Sequence, residues 1–194
     1  MALAGQNTKS DYIEWNKLQT AILKLERDKD WKFALLISIG IYTGLRISDI
    51  LVLKWKDIAE KEFIEITEKK TKKFRRIRIN QNLKEIFDRM LLHNNNDMES
   101  LIFLNRFSTS AISVQFINRK LKTLAIEYKL TKEPTKFKSH SFRKSFGRRV
   151  FEMNDNSEKA LILLSEMFNH TSIKTTKVYL GIREKEMMEV YDNL

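Results

Sequence analysis

The chain has 194 residues, 42% of them hydrophobic and none of them cysteine, which fits one ordinary domain with a sizeable core and excludes disulfides and cysteine-based metal sites. Five glycines and one proline leave few tight turns and favour a mostly helical chain. The formal net charge of +11 points to a polyanionic partner, of which nucleic acid is the commonest.

Residues 11–28 place Ile13, Leu18, Ile22 and Leu25 near helical spacing, with Ser10 or Asp11 as the expected cap. Asp30 is the expected cap of a second helix reaching about Tyr42 and broken at Thr43-Gly44. Its stretch "WKFALLISIGIY" contains Lys32 and falls short of the roughly 20 apolar residues of a membrane span, so it reads as a buried helix. A short helix is expected over "ISDILVLKW". "FIEIT" and "RRIRI" read as the strands of a hairpin, with "EKKTKKF" as its turn. Further helices are expected over 83–92, 110–128, 141–153, 157–168, 172–179 and 183–193, with loops at "HNNNDMES" and around Pro134. The N-terminus "MALAGQNTKS" lacks a charged region followed by an apolar core, so no secretory signal is read and the default location is the cytoplasm.

The basic residues are clustered. "KKTKKFRRIR" carries seven in ten residues, and residues 129–149 carry eight against the single acid Glu133. In "SHSFRKSFGRR", His140 and Arg143 lie three residues apart, on one face of a helix start, where free N–H groups and the positive dipole end suit a phosphate. Taken alone, His-x-x-Arg is weak and fits a solvated helix start as well. "FNHTSIKTTKVYLG" adds His170 and Tyr179, and "TGLRISDIL" places Arg46 straight after a glycine turn.

Together these stretches resemble the tyrosine recombinase family, also called phage integrases. "TGLRISDIL" matches the family's arginine stretch, with Arg46 and Asp49. "EKKTKKF" matches its hairpin lysine and points to Lys70, although Lys69, Lys72 and Lys73 share the turn. "HSFR" matches its His-x-Leu-Arg, with Phe142 for leucine. "FNHTSIKTTKVY" matches its histidine and the tyrosine nine residues on, with Asn169 where a glycine is usual.

The resemblance implies a mainly α-helical α+β fold, a catalytic domain with a small antiparallel sheet near its first third. It implies that residues 11–194 form this domain, that 1–10 are a linker remnant and that the family's separate N-terminal DNA-clamping domain is absent. The implied activity is site-specific cutting and rejoining of double-stranded DNA through a 3′-phosphotyrosine, with no cofactor and no metal. Tyr179 would be the nucleophile, Arg46 and Arg143 the clamp on the scissile phosphate, and His140 the general acid/base. His170 would hydrogen-bond the phosphate, Lys70 would protonate the leaving 5′-oxygen, and Asp49 would orient the site. Lys69, Lys72, Lys73, Lys138 and Lys144 are expected to contact DNA. Other readings stay open: relaxation of DNA in the manner of a type IB topoisomerase, or a DNA-binding module whose catalytic set is silent. A monomer in solution is expected, and a tetramer on paired sites, with accessory DNA-bending proteins as further partners and a nucleoid location. Met187, Val190, Tyr191 and Leu194 form an apolar stripe on the last helix, which docks either on its own domain or on a neighbouring subunit.

Overall fold

The computed structural model describes residues 10–92, 97–107 and 110–194. The segment expected to be a linker remnant, apart from Ser10, and the first half of the "HNNNDMES" loop, residues 93–96, lie outside the described residues. The elements run α1 (Trp15–Arg27), α2 (Trp31–Thr43), α3 (Ile47–Ile50), β1 (Phe63–Thr67), β2 (Phe74–Arg78), α4 (Gln81–Leu91), α5 (Val114–Glu127), α6 (Ser139–Met153), α7 (Glu158–Phe168), α8 (Ile173–Leu180) and α9 (Ile182–Asp192). Short 3-10 turns sit at Trp55–Asp57 and Pro134–Lys136.

α2 is the central helix. Every residue from Phe33 to Ile41 is buried, which is why its sequence is apolar all round rather than striped. Asp30 caps it by accepting from the Phe33 N–H at 3.4 Å, and Gly44 ends it in the left-handed conformation at φ 63°. α1, α3, α4 and α6 pack on α2, and its cluster includes Phe137 and Phe142. α2 and α6 approach closely at Gly40, where a Cβ would lie 2.6 Å from the Phe142 ring. A second cluster gathers Phe151, Leu161, Leu164, Phe168, Leu180 and Ile182 from α6, α7, α8 and the start of α9. α6 touches both clusters, so its first turns lie at the seam between them.

The hairpin pairs β1 and β2 antiparallel, with Ile64 opposite Ile77 and Thr67 opposite Phe74. Ile64 is the fully buried side chain of the pair, and the strands' other positions are polar or partly exposed. The sheet is therefore an arm on the helical body, with its turn bonded to Arg46, Asp49 and Asn169.

Three expectations shift. Residues 10–14 do not open α1, and neither Ser10 nor Asp11 caps it; the segment is extended, because its backbone bonds to α6 and the preceding turn. The Asp11 N–H donates to the Lys136 carbonyl, and Ser145 Oγ accepts from the Ile13 N–H and donates to the Ile13 carbonyl. The helix expected over "ISDILVLKW" stops at Ile50, since residues 53–56 pair with residues 98–102 instead. α5 begins at Val114 rather than Ser110: Ala111 bridges to Leu104, and Ser113 supplies the cap.

Candidate active site

Gly44 turns the chain sharply at the end of α2, burying Leu45 and sending Arg46 to the start of α3. Arg46 Nη1 donates to Glu68 Oε2 at 2.7 Å, and Nη2 donates to the Phe168 carbonyl at 3.3 Å. Arg143, one turn into α6, donates from Nη1 to the Gly44 carbonyl at 2.5 Å and from Nη2 to the same Phe168 carbonyl at 3.1 Å. Its guanidinium also lies 4.2 Å from the Phe168 ring centroid. Burial brings the Arg143 pKa down to about 10, with the nearby Arg46 adding to the effect, so the group stays charged at neutral pH.

Phe168 ends α7, and an unpaired carbonyl at a helix C-terminus carries partial negative charge. That end is closed by Asn169 in the left-handed conformation (φ 52°, ψ 47°). Glycine is the residue most at ease there, and asparagine is the next best suited, so the departure at Asn169 preserves the turn. The asparagine adds a side chain, whose Oδ1 accepts from Lys73 Nζ at 2.6 Å.

His170 follows the cap. Its Nδ1 pairs with the buried Thr176 Oγ1 at 3.0 Å, which leaves Nε2 for another partner. Burial and then the cations Arg143, Arg46 and Lys70 bring the His170 pKa down to about 4. Tyr179 reaches back from α8 to the same place. Its ring meets those of His170 and Phe168 edge-on, at 5.2 and 5.6 Å between centroids. The Tyr179 hydroxyl is buried and has no hydrogen-bond partner among the described residues. Burial pushes its pKa up to about 12, while Arg143 and Arg46 pull the other way. An unpaired buried hydroxyl beside two guanidinium groups is costly unless a ligand completes the site.

His140 lies in the first turn of α6, where the Ser139 N–H is taken by Asn118 Oδ1. Part of its surface is exposed. Loss of water around the ring, followed by the charges of Arg143, Lys144, Arg46 and Lys70, holds its pKa below the usual histidine range. Lys70 is exposed on the hairpin turn, and its charge acts on both histidines. Lys69, Lys72 and Lys73 are also exposed. Asp49 is buried, and its Oδ1 accepts from the Lys69 N–H at 2.9 Å, so it anchors the entry to the turn.

The basic run in α6 divides between two sides. Lys144, expected on the DNA face, is buried: its Nζ donates to the Ser10 carbonyl at 2.8 Å and lies 5.5 Å from the Tyr179 ring centroid. It sits one residue beyond Arg143 and so leaves the helix by a different face. Arg148 and Arg149 likewise stack on Tyr12 and Trp15 of the N-terminal segment. Lys138 stays half-buried just before α6.

Sequence reasoning missed Glu68, Thr176 and the Phe168 carbonyl. Glu68 had a signal, being the acid that opens an otherwise basic turn. Thr176 had none, because a partner six residues from His170 is created by the break between α7 and α8. A backbone carbonyl has no residue-type signature at all.

Residues 13–186 match the sequence model of the Phage integrase family. The chain is 33% identical over 157 residues to the "Probable integrase/recombinase YoeC" of Bacillus subtilis (strain 168), covering 80% of this chain and 81% of that protein. It is 28% identical over 151 residues to the "Tyrosine recombinase XerH" of Campylobacter jejuni, covering 75% of this chain but 40% of that one. The fold superposes on a crystal structure of XerH site-specific recombinase bound to palindromic difH substrate, a post-cleavage complex, with a TM-score of 0.69 and 21% identity, over 95% of this chain and 53% of that chain. The chain thus spans about half the length of that structure and four fifths of the Bacillus protein.

Proposed function

The chain belongs to the phage integrase family, and from that membership we propose that it cuts and rejoins double-stranded DNA through a 3′-phosphotyrosine on Tyr179. The observation that carries the reading is the convergence of Arg46 and Arg143 on one carbonyl, with the buried Tyr179 hydroxyl lacking a partner among the described residues.

The chemistry follows from the groups present. The Tyr179 oxygen attacks the scissile phosphorus, and the bond to the 5′-oxygen breaks. Charge grows on the two non-bridging oxygens, and two permanently charged planar groups suit it by forked hydrogen bonds. His140, neutral at pH 7 because its pKa is depressed, takes the tyrosine proton and returns it when the strand is resealed. Lys70 gives a proton to the leaving 5′-oxygen. His170, with Nδ1 held by Thr176, offers Nε2–H to a phosphate oxygen. The phosphotyrosine keeps the energy of the broken bond, so rejoining needs no outside source. The exposed lysines Lys69, Lys72 and Lys73, with Lys138, carry DNA backbone contacts.

The α9 stripe supports an assembly role. Met187, Val190, Tyr191 and Leu194 are all more than half exposed, so they do not complete the domain's own core. The free chain is a monomer, and on paired sites four copies dock by this stripe, with DNA-bending proteins as accessories, at the nucleoid. The test is covalent trapping. A duplex selected from a random pool by binding to the chain, then nicked near the cut site, yields a protein–DNA adduct on a denaturing gel. Absence of adducts on every nicked position would overturn the reading.

A further inference from the structure

We infer that Glu68 is a positioning residue that couples the phosphate clamp to the turn bearing the leaving-group acid, an inference that rests on the catalytic reading above. Its side chain is 2% exposed. Oε2 accepts from Arg46 Nη1 at 2.7 Å and from Thr71 Oγ1 at 2.6 Å, and Oε1 accepts from Arg75 Nη1 at 3.1 Å. The Glu68 backbone closes the same turn: its N–H donates to the Lys73 carbonyl and its carbonyl accepts from the Lys72 N–H, both at 2.9 Å. Lys70 lies inside that closed loop.

One residue therefore fixes two things at once. With the Phe168 carbonyl, its carboxylate gives the Arg46 guanidinium two fixed acceptors, so the plane of that group is set before any phosphate arrives. With Thr71 and the turn backbone, it sets where Lys70 can reach. Ionisation is essential to both. Burial pushes the Glu68 carboxyl up, but hydrogen bonds from Thr71 and Arg75 and the charge of Arg46 outweigh that and hold it below the usual carboxylate range. A purely structural ion pair would need only Arg75, its neighbour across the hairpin turn. Arg46 comes from a separate element and joins the same carboxylate.

The test uses two versions of the selected nicked duplex, one with an ordinary scissile phosphodiester and one with sulfur as the 5′-bridging atom. A thiolate leaves without a proton, so the sulfur version bypasses Lys70 but still needs the clamp. At saturating DNA, Glu68→Gln should form adduct at least about tenfold more slowly on the phosphodiester, recover in part on the sulfur version, and bind DNA within about twofold of the parent. Thr71→Val keeps the carboxylate with its Arg46 and Arg75 partners and removes its tie to the turn. It should slow the phosphodiester several-fold and match the parent on the sulfur version, and it carries the test if Glu68→Gln does not fold. Equal losses on both substrates for Thr71→Val, or parental rates for either variant on the phosphodiester, would overturn the coupling. A parent chain that forms no adduct on either substrate defeats the catalytic reading instead.

Discussion

Arg46 and Arg143 donate to a single acceptor, the Phe168 carbonyl, at 3.3 and 3.1 Å. Two like charges stay this close because the acceptor ends a helix, where the dipole is negative, and because Glu68 lies on the far side of Arg46. Removing either donor should cost about 3–4 kcal/mol of transition-state stabilisation, as loss of an oxyanion donor does. Arg46→Ala and Arg143→Ala should each slow single-turnover cleavage by about a hundredfold or more, with far smaller effects on DNA affinity. Arg143→Lys should recover little, since a point ammonium cannot span the Gly44 and Phe168 carbonyls. Cleavage by either alanine variant near the parental rate would remove that arginine from the clamp.

Salt dependence separates the turn lysines from Lys144. Each phosphate contact adds about −0.9 to the slope of log affinity against log salt. Lys72→Met should flatten the slope by about that amount. Lys144→Met should leave it unchanged, because the Lys144 ammonium is spent on the Ser10 carbonyl inside the fold. Filter binding between about 50 and 200 mM salt measures both, and a flattened slope for Lys144→Met would put that ammonium on DNA after all.

Much of this was legible where local signals and tertiary structure agree. Asp30 and Gly44 bound α2 as a cap and a stop should, and the hairpin strands fall where their alternation places them to within a residue. Legibility failed where partners come from far along the chain. The apolar spacing from Ile13 onward was read as helix, yet Ser145 takes the Ile13 backbone bonds and leaves residues 10–14 extended. Lys144 was read with its basic neighbours, but a step of one residue around a helix is about 100°, enough to move it from the phosphate face to the interior. The candidate site residues come from the family pattern, whereas Glu68, with no such pattern behind it, emerges only from its three partners.

The pKa of His170 gives a pH signature. Its folded value of about 4 lies below the ordinary 6.5, so between these two values the unfolded chain binds the extra proton and stability rises with pH. The contribution is fully present above about pH 6.5 and is lost as pH falls toward 4, to a total of roughly 3 kcal/mol. Carboxylates such as Glu68 act in the same direction at lower pH, so the histidine term is read as a difference. Thermal melts from pH 7 to 4.5 should fall more steeply for the parent than for His170→Gln. Parallel curves would show that the ring is not held neutral.

Two glycine exchanges probe the frame around the site. Gly40→Ala puts a methyl group 2.6 Å from the Phe142 ring at the crossing of α2 and α6. It should destabilise the fold by about 1–3 kcal/mol, measured by urea unfolding, and displace the neighbouring Arg143. Asn169→Gly should not destabilise: relief of the left-handed conformation is worth about 1 kcal/mol, against one exposed contact to Lys73. A loss of more than about 1 kcal/mol there would mean the Lys73 tether carries more of the fold than an exposed contact should.

The most direct measurement follows the nucleophile. Tyr179→Phe removes one hydroxyl that has no partner among the described residues, so folding and DNA binding should persist. On the selected nicked duplex, the parent should form a covalent adduct that survives denaturation, and peptide mapping should place the DNA on Tyr179. The Tyr179→Phe chain should form none. Adducts of undiminished yield in that variant would contradict the account and turn attention to the exposed Tyr191 on α9.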